Sequence, residues 1–250
     1  MSAQLHALRQ FIAEQFPNAR PLVERDAHRL ADPIATRISA LDRALPGGGL
    51  PRGKLTAWSA ATGAAAILRA TCRGVIAGGE RAAWVDALRT LTFGWAAAVT
   101  KADSAVQADG VPIIIHPADR VNALRATELL LRSGAFALVV LDGAEPIGTE
   151  TVRLTRAARD GGGALVVLTE CASMAALRVS SRLDLHGVRW RRGPFGDPAA
   201  PVDMRAEIRV RALGWNARAT ISFPVAAYDL RCALEPDSTD RRGARSRDGG

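Results

Sequence analysis

An α/β fold is the class this sequence predicts: a mostly parallel central sheet covered by helices and extended by C-terminal antiparallel strands. Two observations carry that prediction. From Ile38 onward, short apolar runs alternate with longer segments of helical periodicity, and the runs at 137–141 and 164–168 both read Ala-Leu-Val-Val-Leu. Runs that are apolar throughout suit parallel strands buried on both faces. After about residue 180 the helical segments cease and strand follows strand, which predicts an antiparallel continuation of the same sheet.

Taken in order, residues 2–16 place Leu5, Leu8, Ile12 and Phe16 at helical spacing and predict an amphipathic N-terminal helix. Pro17, Pro21 and Pro33 mark an irregular connector, so residues 1–35 form an N-terminal unit ahead of a core over 36–230. The expected parallel strands are Lys54–Ser59, Ala82–Asp86, Val111–His116, Ala137–Leu141 and Ala164–Thr169. Helices are expected near 62–78, 89–101, 119–133 and 148–159, with a short one over Cys171–Val179. The later strands are Arg182–Trp190, Ala206–Leu213 and Arg218–Phe223. Residues 231–250 form a C-terminal tail; from Glu235 it is polar, charged and without large apolar residues, and is expected to be disordered.

Of the 250 residues, 48% are hydrophobic and 23% charged, enough for a sizeable core without disulfides or metal. The longest apolar run, Ala135–Leu141, is far short of the ~18 residues that span a membrane. No basic segment followed by an apolar stretch opens the chain, so a cytoplasmic location is expected. Cys72, Cys171 and Cys232 are far apart and the four histidines are scattered, so the thiols are expected to be small buried groups and no metal site is expected. The formal charge is +8, and the segment from Arg178 to Arg218 contributes +5 of it. That clustering permits an anionic partner, while a preference for arginine and alanine codons would give the same composition.

Residues 38–53, Ile-Ser-Ala-Leu-Asp-Arg-Ala-Leu-Pro-Gly-Gly-Gly-Leu-Pro-Arg-Gly, are the most informative stretch. A short helix with Leu41, Asp42 and Leu45 runs into Gly47-Gly48-Gly49 and then a strand. This resembles the entry to the core of RecA-family recombinases, so a RecA-like core is implied. In that family the following strand ends in GxxxxGK[ST], whose backbone N–H groups, lysine and hydroxyl hold nucleotide phosphates and Mg²⁺. Here the loop contains Ser59, Thr62 and Gly63, followed by Ala64 at the lysine position and Ala65 at the hydroxyl position. Losing both groups removes charge-assisted bonds of about 1.5–3 kcal/mol each. The second strand of the resemblance ends in Asp-Ala-Glu, the Glu being the general base; here Asp86 and Ala87 are followed by Leu88. Leu138–Asp142 looks like the Walker B strand, with Asp142 either a remnant or a helix-capping group. The resemblance thus implies a pseudo-ATPase without catalytic residues or cofactor, in which Ala64→Lys would be silent for partner binding.

Asp142 to Ala164 has room for one helix and two turns, and the segment after Leu168 is short as well, so neither DNA-pairing loop of a recombinase fits. Ser180–Leu185, Ser-Ser-Arg-Leu-Asp-Leu, resembles the SVRLDI strand of recombinases and supports the register over 38–190. With its N-terminal helix and basic strands, the chain resembles the ImuA group, RecA-related accessory proteins of bacterial mutagenesis cassettes. The resemblance covers about residues 36–225. It implies a non-catalytic role in SOS, DNA-damage-induced mutagenesis: assembly of a translesion synthesis complex with RecA and a Y-family polymerase-like subunit. A SulA-type cell-division inhibitor and a RecA- or KaiC-like ATPase with a divergent nucleotide site are the alternatives.

Two surfaces could serve partners. Leu5, Leu8, Ile12 and Phe16 could dock on RecA or on a second copy, or pack on their own core. Arg189, Arg191, Arg192, Arg209, Arg211 and Arg218, interleaved with Trp190 and Trp215, could touch a DNA backbone weakly. The preferred reading of that interleaving is a sheet with tryptophans on the core side and solvated arginines. Deleting residues 1–16 is expected to weaken partner or self association, by pull-down and light scattering, with the core still folded.

Overall fold

The computed structural model describes residues 32–59, 63–91, 112–170, 174–192, 194–196 and 198–224. The expected helix over 2–16 with Leu5, Leu8, Ile12 and Phe16 lies outside the described residues, as do Thr62, Cys171, Cys232, residues 92–101 and the tail.

Asp42 organises the entry to the sheet. Helix α1 (Ser39–Ala44) carries it, and its carboxylate accepts from Thr36 N–H (2.8 Å), Thr36 Oγ1 (2.6 Å) and Arg37 N–H (3.1 Å). These bonds tie the incoming extended chain to the first turn of the helix, where a negative charge is also favoured by the helix dipole. The glycines that follow each answer a backbone demand. Gly47 and Gly48 have φ of 73° and 84°, and a Cβ on Gly49 would stand 2.4 Å from the Ile34 carbonyl oxygen. That close approach lets Ile34 and Leu50 exchange two backbone hydrogen bonds of 2.8 Å. Arg52 then spans three segments: it donates to the Asp32 carbonyl (3.1 Å), the Gly162 carbonyl (3.3 Å) and Glu80 (2.6 Å).

The described strands are β1 (Leu55–Trp58), β2 (Ala82–Asp86), β3 (Ile113–Ile115), β4 (Leu138–Asp142), β5 (Ala164–Leu168), β6 (Leu177–Arg192), β7 (Pro198–Ala212) and β8 (Trp215–Pro224). They form one mixed, mostly parallel sheet in the order β3-β2-β4-β5-β1-β6-β7-β8. Every pair from β3 to β6 is parallel, and β7 is antiparallel to both its neighbours, so among the described strands β7 alone runs against the rest. Helices α2 (Ala64–Ala77), α3 (Arg120–Ser133) and α4 (Thr149–Gly161) provide the crossovers.

The apolar runs are explained by burial on both faces. On one side Leu41 of α1, Leu45 just after it, and Ile67, Leu68, Cys72 and Val75 of α2 pack against Trp58, Trp84, Val140 and Val166. On the other, Leu124 and Leu131 of α3 and Leu154 and Ala157 of α4 pack against Val85, Val139, Leu141 and Leu165. Glu128 of α3 pairs with Arg153 of α4 at 2.9 Å, joining the two helices at the surface. From β6 onward only the α1–α2 side is apolar: Val179, Ala206, Ile208, Val210 and Ile221 continue that core, and alternate residues are polar.

Two expectations are corrected. Leu177–Val179 is not the end of a helix but the first part of β6, paired in parallel with β1. Leu177 and Val179 enter the core while Arg178 points to solvent, a period of two that overrides the helical reading. Residues 89–91 are irregular rather than the start of a helix, because the Asp86 carboxylate takes the Leu91 N–H at 2.7 Å.

Replacing Asp42 by alanine leaves two N–H groups and a hydroxyl without their acceptor, and is expected to lower stability by about 2–4 kcal/mol in urea denaturation. Asp42→Asn, which keeps one acceptor oxygen, should recover part of that loss.

Candidate functional site

The carboxyl ends of parallel strands are where α/β sheets gather ligand-binding groups, and the sequence-predicted nucleotide residues converge there. Gly63, with φ 91°, caps α2 without a side-chain acceptor, and a Cβ on it would meet Leu183 at 2.8 Å. Ala64, at the lysine position, is 2% exposed and belongs to the core; Ala65 is half-buried. A lysine at 64 would place its stem and ammonium among Ile67, Leu68 and the sheet. Burial of an unpaired charge and overpacking are therefore expected to make Ala64→Lys destabilising.

Asp142 ends β4 directly opposite Asp86 at the end of β2. Asp86 is fully buried and accepts from Leu91 N–H (2.7 Å) and, at the limit of a bond, Thr90 Oγ1 (3.5 Å); His116 Nδ1 lies 3.7 Å away. Asp142 does not cap a helix, since α4 begins beyond Gly148 and its N-cap has no side-chain acceptor. Its carboxyl is pushed up to about 6 by burial and by the neighbouring Asp86 charge, against a lowering hydrogen bond from Gly143 N–H. Leu88, at the base position, is 60% exposed and leans over the next turn: a Cβ on Gly143 would stand 2.3 Å from Leu88 Cγ. An apolar side chain thus covers the residue after Asp142.

At the end of β1, Ser59 Oγ donates to Glu170 at 2.7 Å, and at the end of β5 Thr169 Oγ1 donates to Glu145 at 2.7 Å. Ser59, Thr169 and Glu170 line a cleft of about 520 Å³ whose other wall is Arg178, Arg209 and Arg211. Among the described residues no group of three or more His, Cys, Asp or Glu is placed to hold a metal ion, and no helix is long and apolar enough to cross a membrane. The Cys72 thiol, buried, is pushed up to about 12 and is chemically inert at neutral pH.

The basic residues divide into two sets. Arg209, Arg211 and Arg218 come together on the outward face of β7 and β8, where Arg209 stands opposite Arg218. Arg189, Arg191 and Arg192 lie further along the β6–β7 hairpin, past a register shift. Arg189 pairs with Asp203, and Arg192 donates to the Gly196 carbonyl at 2.8 Å. Trp215 does not share the arginine face: it follows the alternation of Ala212 and its indole N–H donates to the Ala44 carbonyl at 2.9 Å. Sequence reasoning missed Arg178 as a member of this face and His116 beside Asp86. Leu177, Arg178 and Val179 are too few to show the alternation that places the first, and only the pairing of β6 with β1 fixes it.

No protein-family model matches the chain, and no curated protein matches it at a significant level.

Because the folded protein holds the Asp142 proton more tightly than an unfolded chain does, this group adds stability that is full below about pH 4 and is lost as the pH rises through about 6. Asp142→Asn should therefore raise stability near neutral pH by roughly 1–3 kcal/mol and remove that share of the pH dependence. Urea denaturation across pH checks it; no gain at neutral pH would contradict the assignment.

Proposed function

We propose that this chain is a non-catalytic, RecA-like accessory protein of SOS mutagenesis, assembling a translesion synthesis complex through contacts with RecA and a Y-family polymerase-like subunit. The observation that carries the non-catalytic part is Ala64. A phosphate loop needs a lysine at the start of the helix after its strand to reach the β- and γ-phosphates, and here that position is an alanine packed in the core, 2% exposed. Leu88 supports the same reading, since a leucine offers no proton acceptor to an attacking water.

The RecA-like part is supported by the mostly parallel sheet with its antiparallel extension and by the motif at 38–53, whose Asp42 and glycines serve the entry to β1. Short connections after β4 and β5 favour assembly over strand exchange: residues 143–148 lead directly into α4, and residues 169–176 join β5 to β6. A scaffold of this kind works through surfaces rather than through turnover.

The test is titration with a fluorescent ATP analogue, with and without Mg²⁺, alongside co-purification with RecA and the polymerase-like subunit. No Mg²⁺-dependent saturation together with retained partner binding is expected. Saturable Mg²⁺-dependent binding would instead favour an ATPase with a divergent nucleotide site, and failure to bind either protein would overturn the assembly role.

A further inference from the structure

On the outward face of β6, β7 and β8, two cross-strand rows bring like charges together. Arg178 stands opposite Arg211, and Arg209 stands opposite Arg218. Directly opposed residues of an antiparallel pair have Cβ atoms about 4.5–5.5 Å apart, and like charges so placed are destabilising. None of these four arginines makes an ion pair with a carboxylate among the described residues. All four are exposed, and the α3–α4 layer that covers the same face of β1 to β5 does not continue over them. Arg182 and Arg205 lie on the same face in the next rows, opposite or beside Glu207 and Asp184. Six arginines therefore face two carboxylates there, with the excess at the Arg178–Arg218 end.

A second observation lies on the same residues. The cleft of about 520 Å³ is walled by Arg178, Arg209 and Arg211, and a smaller hollow of about 200 Å³ lies between Arg209, Arg218 and Thr220, beside Glu207. Arg209 belongs to both, so the two hollows adjoin on either side of its side chain. Hydroxyl and amide groups of Ser180, Asn216 and Thr220 are interspersed along these strands. Glu170 is the carboxylate at the cleft end, and it accepts from Ser59.

We propose that this face binds the phosphodiester backbone of a nucleic acid. Three features favour phosphate over an acidic protein segment. Every cation is an arginine, whose planar fork matches phosphate oxygens bidentately. Residues two apart on one strand, such as Arg209 and Arg211, repeat about every 6.8 Å, giving an evenly spaced ladder suited to a regular polyanion. The neutral groups between them are small hydrogen-bonders of the kind that position a backbone, and no apolar side chain on these rows offers an anchor for a protein partner. Trp215 lies on the other side of the sheet, so among the described residues of these rows no aromatic side chain offers a stacking platform, and recognition is of the backbone, independent of sequence. This inference rests on the β6–β8 face alone and does not depend on the proposed role in mutagenesis.

The experiment is fluorescence anisotropy of labelled oligo-dT, and of the matching duplex, over a salt series with the full chain, Arg209→Gln, Arg218→Gln and the double variant. Affinity at low salt is expected to fall about tenfold in the double variant, and the salt slope to drop by about one for each arginine removed. Because each substitution relieves a like-charge pair, the melting temperature should hold or rise. Binding that is unchanged by the substitutions, or lost together with a lower melting temperature, would overturn the proposal. So would poly-glutamate or inorganic tripolyphosphate competing as well as oligo-dT. The duplex arm decides between single and double strands as the source of the phosphates.

Discussion

The central strands β1, β4 and β5 are apolar on both faces, and everything else in the structure follows from the need to cover them twice. Val139 and Leu141 point to one helical layer while Leu138 and Val140 point to the other, so neither layer can be dispensed with. Parallel pairing in turn requires crossover connections, and α2, α3 and α4 serve as both crossover and cover. Where the α3–α4 layer stops, at β6, the residues facing that side become polar at once. The change from uninterrupted apolar runs to strict alternation therefore marks, in one dimension, the lateral boundary of a helical layer.

That boundary also sets where chemistry can sit. The strand ends at Asp86 and Asp142 adjoin Leu88, Leu91 and the sheet, and burial together with the Asp86 charge raises the Asp142 carboxyl there at the expense of stability near neutral pH. Ala64 seals the neighbouring helix start with a methyl group. Polar groups open to solvent are concentrated instead on the cleft side of β1 and β5 and on the hairpins beyond. The accessible charged groups of the described residues thus lie on a sheet face that carries no helical layer among them, and not at the ends of β2 and β4.

Most of the sheet was legible in the sequence because burial on both faces leaves a composition signal that needs no knowledge of neighbours. Ala82–Asp86 was read at its observed bounds and the other strands up to β5 within one or two residues at each end, whereas β6, read from Arg182, and β7, read from Ala206, begin five and eight residues earlier. The glycines and Asp42 were legible as a motif, but their physical reasons were not, since the close approach of Gly49 to Ile34 is a tertiary fact. Leu177–Val179 was misread because three residues cannot distinguish a period of two from 3.6, and only pairing with β1 decides it. Arg178 was missed for the same reason, and with it the opposed arginine pairs, which depend on hairpin register. The upward shift of the Asp142 carboxyl was out of reach altogether, because it depends on burial and on a cross-strand neighbour some 56 residues away in the chain.

Arg52 has a consequence for how such a molecule can change. By bonding to the Asp32 and Gly162 carbonyls and to Glu80, it pins the start of the core, the end of α4 and the turn before β2 at the amino pole of the sheet. Cohesion at that pole is independent of any group at the carboxyl pole, where the loops lie. Substitutions in those loops therefore leave the Arg52 bonds at the amino pole in place. A fold fastened at one end is free to lose its chemistry at the other and persist as a shape.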